Sequence, residues 1–241
     1  MARLKLTDLD RPCAHVYAGP VSLPERSPAS SGRKRGPYDD APRLPEGEHV
    51  DLHDVVAATE LELEIGPGPK AGFLVERALS APHAGLVGLE IRRKWAAVGD
   101  ARLAKLGHAT RARVFCEDAR VALPRIAPDA SVARVYLHFP DPWWKKRHTK
   151  RLVMGDVFLA EVARLLAPGG ELFVQTDVAE RAELYERAVT AHGAFDPAGD
   201  TAGSPVIADN PYGARSPREH RAIADGLPVH RMLWRRSPKP T

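Results

Sequence analysis

The densest group of chemistry-bearing side chains is the run Phe139-Pro140-Asp141-Pro142-Trp143-Trp144-Lys145-Lys146-Arg147-His148. It sets one carboxylate and two indoles beside a cationic stretch, and five of the seven residues from Lys145 to Arg151 are Lys or Arg. Prolines on both sides of Asp141 fix φ and stiffen the segment that carries the carboxylate. Indole faces stack on bases at roughly 1–3 kcal/mol each, while Lys and Arg neutralise phosphates. Together these groups describe a site for a nucleobase still attached to its polymer. The competing reading makes the tryptophans core anchors and the cations a solvated face.

A second constellation lies upstream. Glu64-Ile65-Gly66-Pro67-Gly68 forms a strand-to-helix turn in which glycines let the backbone pass close to a ligand. Glu90 follows Gly66 by 24 residues. A carboxylate at the end of the second strand can accept both hydroxyls of a ribose, and the spacing is near the ~20 residues of nucleoside-binding folds. The dinucleotide pattern G-x-G-x-x-G fails because Gly72 comes one residue late, which favours a nucleoside without pyrophosphate. Asp118, after a third strand, either accepts from an adenine amine or N-caps the helix that follows. Asp177 can likewise open a capping box, Asp177-Val178-Ala179-Glu180.

The elements that must position these groups alternate strictly. Strands are predicted over 59–65, 86–91, 112–116, 132–139, 171–175 and 229–234. Helices are predicted over 71–79 and about 93–106, through Phe158, Leu159, Val162, Leu165 and Leu166 up to the stop at Pro168-Gly169-Gly170, and through Leu184, Tyr185, Ala188 and Val189. A loop holding Pro205, Pro211 and Pro217 precedes the last strand. Such alternation predicts an α/β fold with a mostly parallel, doubly wound sheet. In such sheets ligands bind at the carboxyl ends of strands, and Glu64, Glu90, Asp118, Asp141 and Asp177 all stand at strand ends.

Composition bounds the rest. The 241 residues are 44% hydrophobic and 27% charged, enough for one packed domain. The formal charge is +4, so the clustering of cations says more than their excess. No run approaches the ~18 apolar residues of a membrane span. Met1 to Leu6 show no signal-peptide pattern, so the cytoplasm is the expected compartment. Cys13 and Cys116 suit neither a disulfide framework nor a metal site, and His49 and His53 lack a metal-binding context; no metal is expected. Residues 1–50 are rich in proline and carry Arg33-Lys34-Arg35, which predicts an N-terminal arm with pieces docked on a domain of residues 51–241.

The motifs LELEIGPG (61–68), VGLEI (87–91), EDA (117–119), FPDPWWKKRH (139–148), LLAPGGELFVQTD (165–177) and SPRE (216–219) resemble those of the bacterial tRNA (guanine-N7)-methyltransferase family. The resemblance runs from about Thr59 to Arg236, and the FPDPW-KKRH block is its specific part. It implies a Rossmann-like class I methyltransferase fold with one antiparallel C-terminal strand, S-adenosylmethionine as methyl donor, and N7 of the tRNA variable-loop guanine, position 46, as acceptor. By position it makes Asp141 catalytic. Glu64, Gly66, Gly68, Glu90 and Asp118 become cofactor-binding, and Lys145, Asp177, Ser216 and Glu219 substrate-binding. It implies tRNA as partner, no membrane, no obligate protein partner, and a monomer. This chain departs from the family in a glycine turn one residue longer and in Ser216-Pro217-Arg218, where the usual element begins with threonine. Other readings are a different N-methyltransferase, an RNA-binding module without catalysis, and an NAD-dependent reductase. The basic run opposes the first, the full set of acids the second, and the failed dinucleotide pattern the third.

Overall fold

A computed structural model describes residues 38–140 and 154–238, and these all fall within one compact unit. The strands are β1 (Val50–Asp51), β2 (Glu60–Ile65), β3 (Ala84–Leu89), β4 (Ala112–Phe115), β5 (Ile126–Ala127), β6 (Val132–His138), β7 (Leu166–Thr176), β8 (Phe195–Pro197), β9 (Val206–Ile207) and β10 (His230–Arg236). The helices are α1 (Gly72–Ser80), α2 (Arg93–Lys105), α3 (Ala119–Ala122), α4 (Asp156–Leu165), α5 (Ala179–His192) and α6 (Pro217–Ala224). The main sheet has the order β4-β3-β2-β6-β7-β10-β8, with β9 also on β10. Strands β4 to β7 in that order are parallel, and β10 runs antiparallel to β7. The chain therefore begins mid-sheet, winds outward to β4, then crosses back to β6. The strand order reverses between β2 and β6, which is where such a sheet leaves a crevice at its carboxyl edge.

Strand β2 shows how the sequence positions the site. Leu61, Leu63 and Ile65 enter a core with Val135, Leu137, Leu172 and Val174, under Phe158 and Val162 of α4 and Tyr185 of α5. Alternation alone suggests that the intervening glutamates meet water. Instead α1 covers that face too, and Glu62 and Glu64 are each 1% exposed. Arg77 of α1 donates to both oxygens of Glu62 at 2.8 and 2.6 Å, Tyr136 donates its hydroxyl at 2.9 Å, and Arg134 adds a bond at 2.9 Å. Burial would raise the Glu62 carboxyl; Arg77, Tyr136 and Arg134 outweigh it and hold the group below the usual carboxylate range. Arg77 also donates to the Tyr212 carbonyl at 2.7 Å, tying the loop before α6 to the sheet.

Three elements differ from the sequence reading. The predicted strand 86–91 lies two residues earlier, so Glu90 and Ile91 leave the ladder and face the crevice. Leu166 does not continue α4 but starts β7, and Pro168-Gly169-Gly170 lies within that strand as a bulge opposite the step from Val132 to Arg134, not as a helix stop. The loop expected around Pro217 contains helix α6. Proline at the first helical position loses no hydrogen bond, and Ser216 caps the helix by accepting from the Glu219 amide at 3.1 Å. Part of the proline-rich segment is docked: Ala41 and Leu44 are buried, and the Pro42 carbonyl accepts from the Cys116 amide at 2.6 Å.

Helices α1 and α6 meet at Gly72, where an added Cβ would lie 2.4 Å from Cγ of Pro217. A proline ring cannot swing aside, so Gly72→Ala is expected to destabilise the fold by about 1–3 kcal/mol in urea titration. An unchanged midpoint would show that the two helices are free to part.

Candidate active site

The crevice between β2 and β6 opens into a cavity of about 890 Å³. That volume lies within the range of small-molecule sites, roughly 300–1,000 Å³. Glu64, Gly66, Gly68, Glu90, Asp118, Asp177 and Ser216 all line it. The sequence-predicted residues are thus gathered in one place from the ends of β2, β3, β4 and β7 and the start of α6. Asp141 and Lys145 lie outside the described residues, as do Trp143, Trp144 and the rest of the basic run.

The glycine turn forms one wall. Gly66 and Gly68 have φ of 71° and 69°, a region that favours glycine. The added length of the turn is taken up by a 3-10 turn over Pro69–Ala71, in which Lys70 and Ala71 also have positive φ, 70° and 46°. Non-glycine residues there are strained, and such strain concentrates at functional sites. Arg102 of α2 braces the turn through the Lys70 carbonyl at 3.1 Å.

Glu90 ties the turn to the next strand. Its oxygens accept from the Gly68 amide at 3.0 Å and the Arg92 amide at 2.8 Å, and each keeps a further lone pair for a ligand. Burial pushes its carboxyl up, and the two amides only partly offset that. A rigid carboxylate with spare acceptors fits vicinal hydroxyls. Trp95, with the Arg92 guanidinium 4.0 Å above its ring, forms an adjoining wall that the sequence reading did not single out.

Asp118 does N-cap α3, accepting from the Arg120 amide at 3.0 Å, and Arg120 also pairs with it through its side chain. That hydrogen bond holds its carboxyl below the usual range. Arg120 engages both oxygens of Asp118, but Oδ2 keeps a further lone pair on a residue that lines the cavity, so the two readings of Asp118 are compatible. The capping box at Asp177 is not formed. Val178 is the N-cap of α5, and the Asp177 carboxylate instead accepts from Nε of Arg218 at 2.9 Å, across the mouth of the cavity.

Glu219 stands apart. It is fully buried, does not line the cavity, and accepts from Arg231 at 3.0 and 2.9 Å and from Asn210 at 2.9 Å. It anchors α6 to β10 and to the preceding loop, so Ser216 and Arg218 are held at the cavity rim. Phe139, the residue after β6, has φ of 45°, a left-handed conformation that turns the chain out of the sheet two residues before Asp141. His138 lies on the cavity floor, 2.8 Å from Glu64, and was not singled out from sequence. Its signal was position: it is the last residue of β6 and shares a face with Tyr136 and the glutamates.

Comparison with known proteins decides the family. The profile of a family described as putative methyltransferase matches residues 58–232. A tRNA (guanine-N(7)-)-methyltransferase of Myxococcus xanthus is 37% identical over 171 residues, covering 71% of this chain and 81% of that protein. The protein of the same name from Anaeromyxobacter dehalogenans is 39% identical over 177 residues, 73% and 85% of the two chains. The chain belongs to the bacterial tRNA (guanine-N7)-methyltransferase family. It is thus an enzyme of methyl transfer. Among solved structures, the 16S rRNA methyltransferase KamB superposes with a TM-score of 0.54 over 78% of this chain and 91% of that one, at 15% identity, and so shares the fold. The class I methyltransferase fold with its antiparallel C-terminal strand is the one the sequence predicts. Among the described residues no helix is long and apolar enough to cross a membrane.

Proposed function

We propose that this chain transfers the methyl group of S-adenosylmethionine to N7 of guanine 46 in the variable loop of tRNA, with Asp141 as the catalytic carboxylate. The observation that carries the reading is the convergence of Glu64, Glu90, Asp118, Asp177 and Ser216 on one cavity at the sheet's switch point, in a chain of this family. The residues fit the donor. Glu90 offers rigid acceptors to the ribose, the open backbone at Gly66 and Gly68 admits the chain between ribose and amino acid, and the Oε2 atom of Glu64 is buried with no partner among the described residues. When bound, the donor supplies an electrophilic methyl group on a sulfonium.

The protein's task is then mostly placement. Guanine N7 has an in-plane lone pair and no proton, so no general base is required. The Asp177 and Ser216 side of the cavity, with Lys145, positions the base and its backbone; Glu219 serves this from behind, as the anchor of α6. The purine becomes cationic as the bond forms, and the carboxylate of Asp141, accepting from its N1 and N2 donors, stabilises that charge. Correct alignment of the reacting atoms at roughly 3–3.5 Å supplies much of the rest. The variable-loop guanine has to leave its stack, at a cost of a few kcal/mol; Trp143 or Trp144 then receives it. The same reading makes the chain a cytoplasmic monomer working without a metal or obligate protein partner, with residues 1–50 as an N-terminal arm and 51–241 as the methyltransferase domain.

The five cations of 145–151 are expected to give tRNA binding a log–log salt slope of roughly −3.5 to −4.5. Filter binding between low and moderate salt checks this, and a flat profile would remove the run from the interface. The position is tested by treating a methylated tRNA transcript with borohydride and aniline, which cut at 7-methylguanosine. Scission at 46 is expected; scission at another guanine overturns the assignment.

A further inference from the structure

The floor of the cavity carries two polar side chains that are almost entirely buried: Glu64 at the end of β2, 2% exposed at the side chain, and His138 at the end of β6, 3% exposed. Nδ1 of His138 is 2.8 Å from Oε1 of Glu64. A carboxylate only accepts, so Nδ1 carries the hydrogen and donates it. The ring cannot turn away. Phe73 packs on it at 4.3 Å between centroids, Tyr136 stacks at 5.7 Å and Phe173 meets it edge-on at 5.8 Å.

This arrangement fixes one oxygen of Glu64 and leaves the other. Oε2 is buried without a partner among the described residues, and so is Nε2 of His138. Buried polar atoms left unpaired are unfavourable, and native structures retain them where a ligand or water completes the site. Oε2 of Glu64 is a carboxylate oxygen, and it calls for a ligand group that is cationic and rich in N–H donors. An ammonium meets both conditions, whereas a ligand phosphate or carboxylate would be repelled by it.

We propose that His138 is a positioning residue for the α-ammonium of the methyl donor. Its Nδ1–H locks Glu64 in the rotamer that presents Oε2 to the ammonium, and the aromatic packing around the ring makes that rotamer the resting one. The proposal rests on the methyl-donor reading above and adds to it a residue from β6, the strand that leads directly into Asp141.

Binding calorimetry with two ligands tests it. S-Adenosylhomocysteine carries the ammonium; 5′-methylthioadenosine has the same nucleoside and thioether and lacks the amino-acid end. His138→Phe keeps a packed ring and removes the donor. It is expected to weaken S-adenosylhomocysteine about 10–100-fold, the worth of a charge-assisted bond, and to leave methylthioadenosine within about twofold. His138→Asn, which can still donate to Glu64, should recover most of the loss. An equal loss for both ligands would make His138 merely structural and overturn the proposal, as would unchanged affinity for S-adenosylhomocysteine. Failure of the native chain to bind either ligand would instead refute the methyl-donor reading. Should His138→Phe not fold, Glu64→Gln is expected to show the same selective loss, and an unselective one counts against the pair.

Discussion

Replacing Asp141 by asparagine is expected to lower the single-turnover rate of tRNA methylation by about 10²–10³-fold, the usual effect of deleting one preorganised electrostatic stabiliser. Affinity for S-adenosylhomocysteine should stay within about twofold. The split follows from where charge appears. Asparagine matches aspartate in size and still offers a carbonyl oxygen, so it preserves the shape of the site. It lacks the full negative charge, which matters only once the purine has become cationic. An interaction that strengthens towards the transition state shows in the rate and not in ground-state binding of the donor. Equal loss of rate and donor affinity would place Asp141 in the donor site, and an unchanged rate would remove it from catalysis.

The second large effect is on stability. Arg77→Met is expected to destabilise the fold by about 3–5 kcal/mol, because it strips a buried carboxylate of its main partner. Arg77 gives Glu62 two short hydrogen bonds and also holds the Tyr212 carbonyl, so the loss reaches from β2 to the loop before α6. Exposed pairs such as Arg187 with Glu183 should cost less than about 1 kcal/mol when broken. The sign of the pH dependence is fixed by Glu62, whose folded-state carboxyl is held below its ordinary value of 4.5. A depressed carboxyl contributes its full stabilisation above that ordinary value and loses it as pH falls through the lower folded value. Without Arg77, burial raises that carboxyl, so the stability gap between native and Arg77→Met protein should be widest near neutral pH and close in acid as Glu62 takes up a proton. Urea titrations across that range check it. A gap that widens in acid would mean that the arginine is not what holds Glu62 ionised.

Both effects arise from residues whose visibility in the sequence differs. Asp141 stands out in the sequence because prolines, indoles and cations crowd around it in one short segment, and its role rests on that and on the family. Glu64, Glu90 and Asp118 were legible because a wound parallel sheet sends its strand ends to one edge, and acids at strand ends have no packing role to explain them. The Glu62 network was not. Glutamates alternating with leucines read as a half-exposed strand, and only the helix laid over the second face turns them into a buried polar layer whose partners, Arg77, Arg134 and Tyr136, are 15 to 74 positions away. Helix α6 was hidden for a local reason. Three prolines suggested a loop, yet Pro217 sits at the one helical position where a missing N–H costs nothing. Glu219 shows the limit of reading a role from a motif: its place in SPRE suggests a hand on the substrate, while its side chain is spent on Arg231 and Asn210. His138 was missed because a single histidine in a strand has no spacing to mark it, and its meaning depends on facing Glu64 across two strands.

The proposed chemistry turns on one step, the transfer of a sulfonium methyl to guanine N7 of tRNA. The most direct measurement incubates the protein with methyl-labelled S-adenosylmethionine and unmodified bulk tRNA, then digests the RNA and separates the nucleosides. Label is expected in 7-methylguanosine and in no other nucleoside, and it is expected to disappear with Asp141→Asn. Label in a different nucleoside would contradict the base assignment, and unlabelled RNA from a protein that binds the donor would contradict tRNA as the acceptor.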